Sequence, residues 1–217
     1  MYLEPTRKGT GVTVWGTYDD LTNLYDAIKH LNLWEYTHDN RGSIERIIDV
    51  FSYELRHAYQ GNRKTKQITY RDGQSIKVYG FHCTWVELLF TTSCIRRKCS
   101  YSEVSKFQHG TFLLLESEIE RALYEYDPQG AVFIEHFINH TDVSSDKLWH
   151  HFNEILLYFL HRPTGKKRFR DLPDMLRSGS QFSPMNSYIE NSIKNTQDAL
   201  RCELWEIEYL QPDNIVW

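Results

Sequence analysis

The hydrophobic pattern changes its period several times along the chain, and each change predicts an element. "GVTVWG" at 11–16 alternates and is rich in β-branched residues, which predicts a strand. "MYLEP" is expected to pair with it across the glycine-containing turn "RKGTG". Thr17 and Asp20 have the spacing of a reciprocal capping box, and Leu21, Leu24, Tyr25, Ile28 and Leu31 follow at helical intervals. The helix they predict runs from about 18 to 32. Ile44, Ile47, Ile48, Phe51 and Leu55 mark a second one.

At 66–81, "KQITYRDGQSIKVYGF" sets two β-branched and aromatic runs on either side of Asp72-Gly73, a dipeptide suited to the positive φ angles of a tight hairpin turn. Thr84 to Glu87 repeats the capping-box spacing and opens a helix that ends near the basic residues 96–98, which complement the negative end of its dipole. A further helix is predicted over about 102–126, stopped by "DPQG", and Pro128 suits the first position of the next. Leu148, Phe152, Ile155 and Phe159 form one face of another. "LPDMLRSG" reads as a short helix capped by Asp171 and closed by Gly179. The last helix begins at Ser183-Pro184 and runs towards Leu210 through "NSIKNTQD", a polar stretch able to interrupt it. No internal repeat or long linker appears. The pattern predicts an α+β class: a predominantly helical single domain over 1–217, with a small antiparallel sheet from the N-terminal strands and the 67–80 hairpin.

Composition narrows the function more than the fold. Apolar residues at 41% and charged residues at 25% describe an ordinary globular chain. A net charge of −4 excludes a nucleic-acid binder that uses its whole surface and leaves only local basic patches. No segment approaches the roughly 18 consecutive apolar residues of a membrane span, and the N-terminus lacks the apolar core of a signal peptide. With four cysteines, too few to staple this chain, the expected setting is the cytoplasm with reduced thiols. The 6 Trp, 14 Tyr and 11 Phe supply either a rigid core or a contact surface.

The strongest basic patch is "HRPTGKKRFR". A phosphate loop would need glycine at 160 and serine or threonine at 167, where Leu160 and Lys167 stand, so that motif is excluded. Arg162, Lys166, Lys167, Arg168 and Arg170 remain as a candidate grip on phosphate or nucleic acid, with Phe169 available for stacking. The alternative is a solvated connector. Basic residues also gather between Arg56 and Lys77, whereas acids dominate 113–127 and 198–217.

No complete catalytic or metal-binding set can be assembled. His136 and His140 are four apart, but Phe137 and Asn139 stand where the two zinc-protease patterns require glutamate. His150, Glu154 and His161 share the stripe opposite the apolar face of their helix, as a solvated face would. Glu54 and His57 make half of a di-iron motif whose other half is missing. Cys94 and Cys99 would point about 140° apart on a helix. Asp19 and Asp20 are explained by capping. Neither a nucleophile elbow nor the arginine-to-histidine spacing of a large class of helical ribonucleases occurs. No metal and no cofactor is expected.

"GVTVWGTYDDLTNLYDAI", "FSYELRHAYQG" and "GKKRFRDLPDML" resemble the matching stretches of an uncharacterised family of small bacterial proteins, and the similarity spans most of the chain. The resemblance implies a bacterial, cytosolic origin and no mechanism. The expected function is therefore a non-catalytic interaction module, acting through a protein partner or as a homo-oligomer. Its expected interface is the C-terminal segment, with Trp205, Tyr209 and Trp217 as anchors: on one helix Leu200, Leu204 and Ile207 would dock inward while Trp205 projects away. The competing expectation is a nucleic-acid-binding or nucleic-acid-cleaving protein of a bacterial defence or toxin system, using the 162–170 cluster.

Overall fold

A computed structural model of the chain describes residues 1–32, 42–145, 147–177, 183–207, 209 and 215–217. It begins with β1 (Tyr2–Pro5), β2 (Gly11–Gly16), α1 (Tyr18–Asn32) and α2 (Ser43–Tyr59). The hairpin β3 (Lys64–Thr69) and β4 (Ser75–Thr84) follows, and the strands form one antiparallel sheet in the order β1-β2-β4-β3. Leu3, Val12, Val14, Phe81 and Cys83 alternate onto the face that meets the helices, and each is 0–3% exposed. Thr13, Trp15 and His82 alternate onto the other face.

The rest is helical: α3 (Trp85–Cys99), α4 (Lys106–Tyr126), α5 (Pro128–Ile134), α6 (Leu148–His161), α7 (Lys166–Arg170), α8 (Leu172–Leu176) and α9 (Pro184–Leu200). Both expected capping boxes form. Thr17 and Asp20 exchange hydrogen bonds of 3.0 and 3.1 Å. Thr84 and Glu87 open α3 in the same way. That helix is buried nearly all round and packs against α1, α2 and α6, so it is the centre of the core. Edge-on aromatic pairs tie the layers together: Phe51 on Phe81 at 5.4 Å and Phe90 on Phe152 at 5.5 Å.

The class is as expected, with several local differences. The hairpin connection spans residues 70–74, because only Gly73 takes a positive φ and a two-residue type I′ turn needs two such residues. The strand β4 runs on to Thr84, since β2 pairs with it along its full length to Gly11. The helix expected from 102 starts at Lys106, capped by Ser105. The last helix crosses its polar middle intact and stops at Leu200, where Arg201 adopts the left-handed conformation (φ 52°). Leu200, Leu204 and Ile207 therefore do not lie on one helix. Leu210 and Gly179 lie outside the described residues.

Candidate functional site

The hairpin partner β3 pairs with β4 only as far as Gly80, so Phe81 to Thr84 run on beyond it, facing α2. A cleft of about 710 Å³ opens there, lined by α2, the start of β3, β4, the first turn of α3, Trp149 of α6 and the 215–217 segment. Ionisable groups from several elements meet in it. Glu54 of α2 holds Arg63 in a two-point pair, 2.6 Å to Nε and 2.8 Å to Nη2. Glu87 lies at the floor, where its Oε2 accepts from the Thr84 amide (2.7 Å) and hydroxyl (2.8 Å). Burial raises the Glu87 carboxyl above its ordinary range, against the two Thr84 hydrogen bonds and with help from the nearby Glu54 charge. His82 stacks its ring on Trp217, centroids 4.4 Å apart at 12°, and its Nδ1 lies 3.1 Å from Thr13 Oγ1. Burial, and then the Lys64 ammonium, depress its pKa to about 4, so it is neutral at physiological pH.

The basic segment becomes the short helix α7 and its flanks, and most of its charge is matched within the chain. Arg170 grips the buried Asp127 at 2.6 and 3.0 Å, and Lys166 adds a third contact at 3.5 Å. Arg162 pairs with Asp171 at 3.0 Å, so Asp171 makes no side-chain cap on α8. Arg168 is only 2% exposed: it donates to Thr10 Oγ1 at 2.5 Å and covers the Phe159 ring at 4.5 Å. Thr10 Oγ1 in turn donates to the Val216 carbonyl, which links α7 to the C-terminal segment. Phe169 is fully buried between Trp85 and Tyr126, out of reach of a nucleobase. Only Lys167 among the five cations is exposed without a described partner.

The C-terminal aromatics also turn inward. Trp217 lies on His82, and the Tyr209 hydroxyl sits 3.2 Å from His150 Nδ1. Trp205 falls in a 3-10 turn, Leu204–Glu206, and its side chain lies outside the described residues. The expected solvated stripe on α6 is covered instead. His150 and Glu154 are 6% and 7% exposed, and Ser192 of α9 donates to Glu154 at 2.8 Å. His161, at the end of that stripe, is exposed. His136 and His140 stack at 4.7 Å, both exposed, and no group of three metal-ligating side chains occurs among the described residues.

Helix α4 presents what the sequence reading missed. Phe112, Leu115, Ile119, Ala122 and Leu123 fill its inner face. Phe107, Leu113 and Leu114 stay 64%, 52% and 45% exposed. Positions 107, 110, 114 and 117 recur at i, i+3, i+7 and i+10, one face of a helix, with Leu113 beside them. Gly110 sits in the middle with open space above it. The signal was "FLLLE": four consecutive apolar residues wrap around a helix, and one buried face cannot take them all.

These features define a predominantly helical α+β domain with an aromatic and ionisable cleft at the end of its sheet and a bare apolar face on α4. The chain belongs to the family described as Domain of unknown function (DUF6904), whose model matches residues 1–217. No curated protein and no solved structure matches it.

Proposed function

We propose that the protein is a non-catalytic interaction module that works as a homodimer joined through α4. The observation that carries the reading is the exposed face of Phe107, Leu113 and Leu114, three bare apolar side chains where no other described helix leaves more than two. Contiguous bare apolar surface of this kind marks interaction sites. Isologous pairing about a two-fold axis between Leu113 and Leu114 sets Gly110 of each copy beside Ser117 of the other, where small residues let the helices approach. The same pairing brings Lys106 near Glu120 of the second copy; both are exposed and neither has a described ion-pair partner. Antiparallel helix dipoles add a favourable term. On α5, which packs against α4, Val132 and Phe133 are 54% and 65% exposed and widen the apolar surface.

The bacterial, cytosolic setting belongs to the same proposal, supported by the family resemblance and by four cysteines that form no disulfide. The nucleic-acid reading is not carried forward, because four of its five cations are already engaged within the chain. The test is a cross-link. A Gly110→Cys/Ser117→Cys variant under mild oxidation should give a covalent dimer that reductant dissolves, while the parent chain stays single. Failure of the variant to cross-link would overturn the antiparallel pairing.

A further inference from the structure

The cleft beside β4 is separate from the α4 face and carries its own inference. Its lining carries three cations and three carboxyls, and they do not all pair with one another. Arg63 is neutralised by Glu54 through two hydrogen bonds, and Asp49 has Lys29 at 3.5 Å. Arg46 and Lys64, also on the lining, have no carboxylate within ion-pair distance among the described residues. The cleft therefore offers two cations in no close ion pair, with the Lys64 ammonium acting on Glu4 only at longer range. Its walls are aromatic: Trp149, with the Arg46 guanidinium 5.9 Å from its ring, and Trp217, backed by His82. A ring already stacked on one side is a preorganised platform for a second flat group. On the floor, Glu87 Oε2 is engaged by Thr84, while Oε1 makes no hydrogen bond among the described residues.

We infer that this cleft binds a nucleoside monophosphate, the base stacked on the Trp217 platform, its exocyclic amino group donating to Glu87 Oε1, and the phosphate held by Arg46 and Lys64. Each part follows from the chemistry of the walls. Stacking on an aromatic is tolerant of which base is present and contributes to binding for all of them. A carboxylate acceptor selects bases that carry an amino donor, as in the pairing of Glu or Asp with cytosine N4. Two unpaired cations favour an anion, and charge-assisted hydrogen bonds to phosphate are the strong ones. The volume suits a ligand larger than a single ring, since small-molecule sites span about 300–1,000 Å³. His82 stays neutral over the physiological range, with a pKa of about 4, so the platform adds no charge of its own.

The experiment titrates the full chain with CMP, AMP, GMP and UMP, and with cytidine, following tryptophan fluorescence and binding heat together. Saturable quenching is expected, with UMP weaker than CMP and with cytidine weaker by about tenfold for loss of the phosphate contacts. Arg46→Ala and Lys64→Ala should each weaken CMP about tenfold. Glu87→Gln preserves the capping box, because glutamine also serves at that position, and it should erase the preference for CMP over UMP because the amide can donate as well as accept. Thermal melts establish that each variant is folded. No saturable binding of any mononucleotide at millimolar concentration overturns the inference. So does equal binding of cytidine and CMP, or affinity unchanged in both cation variants. Light scattering on the same samples reads the α4 dimer independently, so failure of one proposal is distinguishable from failure of the other.

Discussion

Two parts of the chain carry large apolar side chains with no obvious place in the core, the C-terminal segment and α4, and they end differently. The C-terminal segment is closed onto its own chain by polar and aromatic attachments. Tyr209 meets His150, Trp217 stacks on His82, and the Val216 carbonyl accepts from Thr10, which Arg168 holds from the other side. The α4 face has no such handles. Phe107, Leu113, Leu114 and Gly110 offer no hydrogen-bonding side chain, so only another apolar surface can cover them. Aromatic content alone did not separate the two cases. What separates them is whether each ring has a specific partner inside the chain.

The largest effect should come from breaking the closed side at its base. Arg168→Ala removes a buried side chain together with the link to Thr10 and is expected to lower stability by about 3 kcal/mol. Lys167→Ala, one residue away and exposed, should change it by less than about 0.5 kcal/mol. Urea denaturation of the two variants measures both, and equal effects would remove the distinction between a structural and a solvated cation.

Next in size is the pH dependence of the same attachments. Burial depresses His150, like His82, to about 4, below its ordinary value of 6.5. Between these values the unfolded chain binds a proton that the folded chain does not, so stability falls as pH drops through this window. From pH 7 to pH 5 the loss is expected to be about 1.5–2 kcal/mol for His150. The raised Glu87 carboxyl acts in the opposite direction, so comparison with His150→Gln isolates the histidine. A variant whose profile is as steep as the parent's would contradict this assignment. A smaller effect than either of these losses is expected for Trp217→Ala, about 1 kcal/mol from the lost stack, read as a lower melting temperature. A variant that instead lost its dimer would place the interface back in the C-terminal segment.

Legibility in the sequence followed the range of the interaction. Capping boxes at Thr17 and Thr84 and the periodicity of α1 and α2 are set within a few residues, and the chain obeys them. The end of α9 at Arg201 carried no glycine to announce it. The polar stripe on α6 read as solvated because the groups that meet Glu154 and His150 are Ser192 and Tyr209, far along the chain. The basic segment read as a free cluster because Asp127 and Thr10, which engage it, lie far away in the chain. The cleft was invisible for the same reason: Glu54, the adjoining His82 and Glu87, and Trp217 come from three separated segments. The α4 face is legible in "FLLLE", but a long helix with one good apolar face already satisfies the periodic pattern, which hides the surplus.

The central claim is that α4 is covered by a second copy, and the most direct test is solution mass by light scattering. At micromolar concentration the parent chain should show twice the 25.9 kDa of one copy. Leu113→Glu/Leu114→Glu should show a single copy with an unchanged melting profile of the monomer. A parent chain that stays at 25.9 kDa, or a variant that keeps the doubled mass, would contradict the account.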